Sequence, residues 1–447
     1  MTLASALAAR VTSLTANDLT PDAERRLKDL VFDYLGVALR GSQAESGRIV
    51  REYVAAQGGA DDSTVIGQPG RVPASQAAFA NAISEHSIEL DDVDELALFH
   101  FGPPIVSTAL AVAERQRSSG LEFLIAVLAG CDIMERLSRA TNNELRNRGF
   151  HTTPTCGVFA STATAGRLLG LTPQQLTNAF GIAGAQASGL MEMYGPSMQK
   201  RFNPGPAARN GIVAAELAQR GFTGADTIFE GERGFGQAFA GKLDERAARD
   251  RLDSGFPIIV EHKPHSAARP IHNAIDCALD IRARAGAPVD AIETIVVKRH
   301  PDWAHYHLNA HPQTFHEAQV SLPYAVAATF VFGAAMPDQF ADQNLERTDI
   351  RRLVATTTVE PDASLQRGVS CDMTVTFADG SSLRSVVDHP KGSKENPLSR
   401  DELSAKFRGL TDGLLPDGAA ERIRRTVDDL ETLDDMTNLL SLFTETQ

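Results

Sequence analysis

Four cysteines, Cys131, Cys156, Cys277 and Cys371, are all that the 447 residues contain. They lie far apart with no C-x-x-C pair, a pattern that excludes a disulfide framework and fits buried free thiols in a reducing compartment. Basic residues are in deficit: 43 Lys and Arg against 57 Asp and Glu leave a formal charge of −14. Such a surface disfavours nucleic acid and anionic membrane as partners, although a pocket inside it can still be locally basic. No apolar run reaches the ~20 residues needed to span a bilayer. The opening MTLASALAARVTSL lacks the long apolar core and small-residue cleavage site of a signal peptide. It reads as a short helix, and the expected location is cytoplasmic. The signatures G-x-x-x-x-G-K-[ST], G-x-G-x-x-G after a strand, H-E-x-x-H and G-x-S-x-G are absent, which weakens nucleotide-cofactor, zinc-protease and α/β-hydrolase chemistry.

What is present reads first as helix. A chain of 447 residues exceeds one simple core, so two domains are expected, one interrupting the other being a natural arrangement. In PDAERRLKDLVFDYLGVALRG, Leu27, Val31, Tyr34, Leu35 and Ala38 share one helical face. Thr20 is the expected N-cap, with Pro21 in the first turn and Gly41 as the stop. Thr172 with Gln175, and Ser399 with Glu402, spell capping boxes. Alanine and glycine crowd FASTATAGRLLG and AARNGIVAAELAQRG, so helix axes there can approach closely. Beyond Phe256 the character changes. AIETIVVKRH reads as a strand, and CDMTVTFADGSSLRSVVDHP as a hairpin turning at Asp379-Gly380. The expectation is a mainly α protein. Residues 1–258 with 394–447 form a large all-helical domain from both chain ends, and residues 259–393 an inserted, smaller α+β domain.

Three times, a basic or titratable residue precedes a helix rich in small residues: His100 before FGPPIVSTALAVAER, His151 before TTPTCGVFASTATAG, and Lys200 before RFNPGPAARNGIVAAELA. Helix starts carry free N–H groups and partial positive charge, so an added cation makes a corner for a carboxylate. Three corners suit a small di- or tricarboxylate. Removing a proton beside a carboxylate, without a metal, needs a neutralised carboxylate and a base placed at the carbon. Lys200, with Arg201 beside it, is the candidate for charge stabilisation, and His151 and His100 for general base and acid. Each alone reads equally as a loop histidine or a solvated basic pair. The acidic stretch from Glu89 to Glu95 reads alternatively as a charged loop or a divalent-cation spot. His305, His307, His311 and His316 crowd AHYHLNAHPQTFHEAQ, where His-x-His spacing is compatible with a transition metal, but no cysteine is near and Glu317 is the sole carboxylate. No metal is expected.

The segments HSIELDDVDE, FHFGPP, GFHTTPTCGVFASTATAGRLLGL, MQKRFNPGPAARNGIVAAELAQRGFTGADTIFEG, KPHSAARPIHNAIDCAL and HEAQVSLPYAVAATFVFG occur in the order found in the MmgE/PrpD family, which the chain resembles over nearly its whole length. The resemblance implies an active site in the cleft between a helical and an α+β domain, a homodimer, and no metal or organic cofactor. It also implies site residues. The acidic position corresponds to Glu89, where the family usually has Asp, with Asp91 and Asp92 following. The two histidines correspond to His100 and His151, the lysine to Lys200 and the tyrosine to Tyr324. Lys263 and Arg269 could close over a second carboxylate. A further family histidine falls at Ala268, leaving His265 or His272 as substitutes. The activity expected is that of a 2-methylcitrate dehydratase-like lyase, with an iminodisuccinate-type epimerase, a cis-aconitate decarboxylase-like lyase or a non-catalytic carboxylate-binding protein as alternatives.

Overall fold

The computed structural model describes residues 1–94, 99–141, 143–193, 195–367 and 370–443, and it is mainly helical. The sequence signals that start helices do so here. Thr20 accepts the Ala23 N–H and Pro21 opens the Pro21–Ser42 helix, with Asp22 and Glu24 in its first turn and Arg40 in its last, matching the helix dipole. Both expected capping boxes form, at Thr172–Gln175 and at Ser399–Glu402. MTLASALAARVTSL holds a helix over Leu3–Ser13, capped by Thr2. Gly41 is not a stop. The helix runs to Ser42, and a Cβ at Gly41 would collide with the Ser84 carbonyl of the Ala74–Glu85 helix. Its small size serves packing, not termination.

The small-residue segments become the centre of the bundle. Thr152–Leu168 and Pro204–Gln219 lie side by side, and a Cβ at Gly211 would meet the Ser161 and Thr162 backbone. One hydrophobic core gathers side chains from Leu3 to Ile258 and again from Leu403 to Phe443, so both chain ends build it. A second core runs from Ala267 to Phe377. It includes a four-stranded sheet in the order Thr357–Pro361, Ile292–Arg299, Cys371–Phe377, Ser382–Val387. The hairpin turns at Asp379-Gly380 as expected, with Gly380 at φ 84°. The Thr357–Pro361 edge, parallel to Ile292–Arg299, has no counterpart in the sequence reading. Its exposed, mixed residues give no clean alternation. A two-residue pairing, Ser63–Thr64 with Arg71–Val72, likewise interrupts the helical part.

The two cores meet along the segment that follows the Ala74–Glu85 helix. Ser266 and Gln319 both donate to the Ile88 carbonyl, at 2.6 and 2.8 Å, and Val93 and Glu261 exchange backbone hydrogen bonds. No described helix is long and apolar enough to cross a membrane.

Candidate active site

Glu89 sits at that junction. Its backbone is left-handed, φ 54° and ψ 33°, a conformation that is costly for a residue with a side chain. The environment enforces it: the carboxylate is buried and pairs with Lys200, with Arg201 at 2.5 Å and with Lys263 at 3.3 Å. Arg201 also donates to the Gln319 side chain at 3.0 Å and to Nδ1 of His316 at 3.3 Å, tying it to the smaller core. Burial, then the Arg201 and Lys263 charges, push the Lys200 ammonium well below its ordinary value. The Glu89 carboxylate in contact with it opposes that shift.

Asp91 is the second anchor. It accepts hydrogens from Nδ1 of His86 at 2.7 Å and the Lys263 ammonium at 3.1 Å, and it lies 2.8 Å from Nδ1 of His100, which also bonds the Asp92 carbonyl. Burial works against its charge, but His100, Lys263 and His86 overcome that and hold the carboxyl well below the usual carboxylate range. Lys263 thus bridges Glu89 and Asp91 from the strand of chain entering the smaller core. Lys200, Arg201 and Lys263 therefore meet at one junction and are held in place by the Glu89 and Asp91 carboxylates. Cations gathered in this way can turn to the carboxylates of a polyanion.

Asp92 does something the sequence did not suggest. Its carboxylate accepts the N–H groups of Phe101 and Gly102, both at 2.8 Å, at the start of the helical run after His100. The corner expected there for a substrate carboxylate is filled by the chain's own. Burial raises Asp92 to about 6.

His151 caps the Thr152–Leu168 helix from the bundle side. Asn203, at the head of Pro204–Gln219, donates to its Nδ1 at 3.2 Å. Burial, reinforced by His86 and His100, holds His151 well below its ordinary pKa, so it is a neutral imidazole at pH 7. The ring centroids of His100 and His151 are 6.5 Å apart, and His86 lies between them in reach of both, at 5.0 and 6.1 Å.

The junction therefore brings together Glu89, Asp91, His100, His151, Lys200, Arg201 and Lys263 of the sequence-derived set. The other three are engaged elsewhere. Tyr324 packs on Phe340 in the smaller core, and its hydroxyl donates to the Gln339 carbonyl at 3.0 Å. Arg269 pairs with Glu261 at 3.3 Å and donates to the Lys391 carbonyl. His272 is buried, donating through Nε2 to the Ala267 carbonyl while Nδ1 accepts from Arg269. His265 is paired with Asp276 at 2.8 Å. Neither His265 nor His272 replaces a histidine at Ala268, whose N–H donates to the Gln319 carbonyl.

Residues that sequence reasoning passed over include His86, Gln319 and Asn203. His86 ends a buried helix in HSIELDD, and only its spacing to Asp91 hinted that both share one turn. Among the described residues, the imidazole group close enough to share an ion is His86, His100 and His151, not the histidines from His305 to His316. Of those, His307 bonds the Val320 carbonyl and His311 lies against Arg351. Glu95 of the acidic stretch lies outside the described residues. A cavity of about 390 Å³ lies apart from the Lys200 cluster, lined by Arg10, Asp132, Glu135, Arg251 and Phe256 among others.

Comparison with known proteins shows the family. Residues 5–247 match the MmgE/PrpD N-terminal domain and residues 265–432 the MmgE/PrpD C-terminal domain. The chain is 30% identical to the cis-aconitate decarboxylase of Mus musculus, over 97% of this chain and 92% of that protein. It is 29% identical to the cis-aconitate decarboxylase of Homo sapiens, over 98% and 94%. A cis-aconitate decarboxylase-like protein of Aspergillus oryzae is 29% identical, over 97% and 95%.

Proposed function

This chain belongs to the MmgE/PrpD family, and from that premise we propose that it is a carboxy-lyase of the cis-aconitate decarboxylase kind, acting on a small unsaturated di- or tricarboxylate. The observation that carries the reading is the convergence of Lys200, Arg201 and Lys263 on Glu89 and Asp91, beside His100 and His151. Lys200, Arg201 and Lys263 hold the substrate's carboxylates, exchanging part of their contact with Glu89 and Asp91 for them. The C–C bond to one of them breaks, CO2 leaves, and the electron pair remains on carbon, spread into the neighbouring double bond. Lys200 and Lys263 stabilise the negative charge as it moves. A proton then closes the product. His100, oriented by its contact with Asp91 much as a triad histidine is by its carboxylate, suits the donor by position.

The named relatives favour decarboxylation over the 2-methylcitrate dehydration expected from sequence. The same side chains could expel a β-hydroxyl or return a proton to the opposite face, so the bond broken decides the class. The test is to incubate the full chain in deuterated water with cis-aconitate, 2-methylcitrate and an iminodisuccinate-type dicarboxylate, followed by NMR and CO2 release. The reading expects CO2 from cis-aconitate with one solvent deuterium in the product. Loss of water from 2-methylcitrate without CO2 replaces it with a dehydratase. Neither product nor exchange with any acid replaces it with a carboxylate-binding protein.

A further inference from the structure

We propose that His86, His100 and His151 form a transition-metal site that takes Zn²⁺ or a similar ion and, by occupying the reaction centre's imidazoles, shuts the enzyme off. One nitrogen from each ring lies within 4.8 Å of the others, and all three residues are buried. Tetrahedral ligands at a Zn–N distance of ≈2.0–2.1 Å sit roughly 3.3 Å apart, so the nitrogens close by no more than about 1.5 Å to bind an ion.

The surroundings prepare the rings. Asp91 bonds Nδ1 of His86 and, with the Asp92 carbonyl, Nδ1 of His100, which leaves Nε2 of each ring outside these contacts and able to ligate. A carboxylate behind a ligating histidine is the usual outer support of a metal site, and here one carboxylate supports two. Nε2 of His86 is buried with no hydrogen-bond partner among the described residues, and a polar atom left so is costly unless something fills the space. Asn203 holds Nδ1 of the third ring; for Nε2 of His151 to ligate, the ring hydrogen moves to Nδ1 and the Asn203 amide turns its oxygen toward it. Lys200 and Lys263 are neutralised locally by Glu89 and Asp91, and the buried Asp91 charge offsets that of an ion. Imidazole nitrogens without a thiolate favour Zn²⁺, Cu²⁺, Ni²⁺ and Co²⁺ over Mg²⁺ or Ca²⁺.

The inhibitory part rests on the proposed reaction at His100 and His151; the binding part does not. The chelator-treated full chain is titrated with Co²⁺, read by visible absorption, and with Zn²⁺ by calorimetry, both without substrate. One ion per chain is expected. His86→Gln is expected to weaken binding at least tenfold, about the loss seen when even an outer partner of a metal site is removed. His305→Ala is expected to leave it unchanged. Absence of binding, or equal affinity in His86→Gln, overturns the site. X-ray absorption of the Zn²⁺-loaded wild type guards against misfolding of the variant: three imidazole nitrogens support the assignment and one or none refutes it. With an active substrate, one equivalent of Zn²⁺ should lower turnover at least tenfold and a chelator restore it; unchanged or faster turnover overturns the inhibitory role. Failure to turn over any carboxylate sinks the proposed function alone and leaves the metal titration standing.

Discussion

At the scale of single residues, Glu89 explains why the site holds together. Three cations in one buried space repel, and a carboxylate in left-handed backbone is costly; each strain relieves the other. Glu89→Gln keeps the shape and removes the charge. Its stability to urea is expected to fall by about 3 kcal/mol, the scale for breaking a buried ion pair, and a saturating tricarboxylate should raise its melting temperature more than it raises the wild type's. An equal ligand-induced shift in the two proteins would contradict this role for Glu89. Lys200→Ala is expected to lower turnover by roughly 10²–10³-fold, the scale for removing one preorganised electrostatic contact, with an unchanged circular dichroism spectrum. Turnover near the wild-type value would remove Lys200 from the reaction.

At the scale of elements, the site depends on helices that the sequence announces plainly and on contacts that it does not. Cap residues and small-residue spacing are local signals, so Thr20, Thr172 and Ser399 could be read directly. That Asp92 would fill the helix start beyond His100, or that Gly41 would mark a close helix crossing, depends on what lies opposite in space. Lys406, on the Arg400–Thr411 helix, donates to the Leu90 carbonyl at 2.9 Å, so the C-terminal part braces the loop between Glu89 and Asp91 from behind. No local pattern reveals that brace. Gly211→Ala forces the Thr152–Leu168 and Pro204–Gln219 helices apart. The expected cost is about 1–3 kcal/mol, read from the urea midpoint; a neutral result would show that the helices can shift freely.

His272 begins the His272–Arg284 helix as a buried neutral ring, because burial, then Arg269 and His265, press its pKa well below the ordinary histidine value of 6.5. The unfolded chain takes up a proton below that value and the native ring does not. Its contribution to stability is therefore present above pH 6.5 and lost as pH falls toward the native pKa. The melting-temperature gap between wild type and His272→Gln should narrow from pH 7.5 to pH 5, and a constant gap would mean that the native ring is protonated.

At the scale of the whole molecule, two hydrophobic cores hold the candidate site between them. Glu89, Asp91, His100, His151, Lys200 and Arg201 come from the part built with the larger core, Lys263 from the crossing segment, and Gln319 and His316 from the smaller part. The mainly α architecture was legible because periodicity and caps are written locally. Most of the site was legible because cations and histidines stood before helices, and family resemblance added Glu89 and Lys263. For Tyr324, Arg269 and His272, segment order says that they approach the junction, and only geometry shows that they also bond to the Gln339, Lys391 and Ala267 carbonyls.

Calorimetric titration with a saturated propane tricarboxylate, which can bind but cannot decarboxylate, tests the convergence of charge most directly. One molecule should bind per chain, and Lys200→Met and Lys263→Met should each weaken it by about 10–100-fold, the value of a charge-assisted hydrogen bond. Full affinity in both variants would contradict a shared polyanion site.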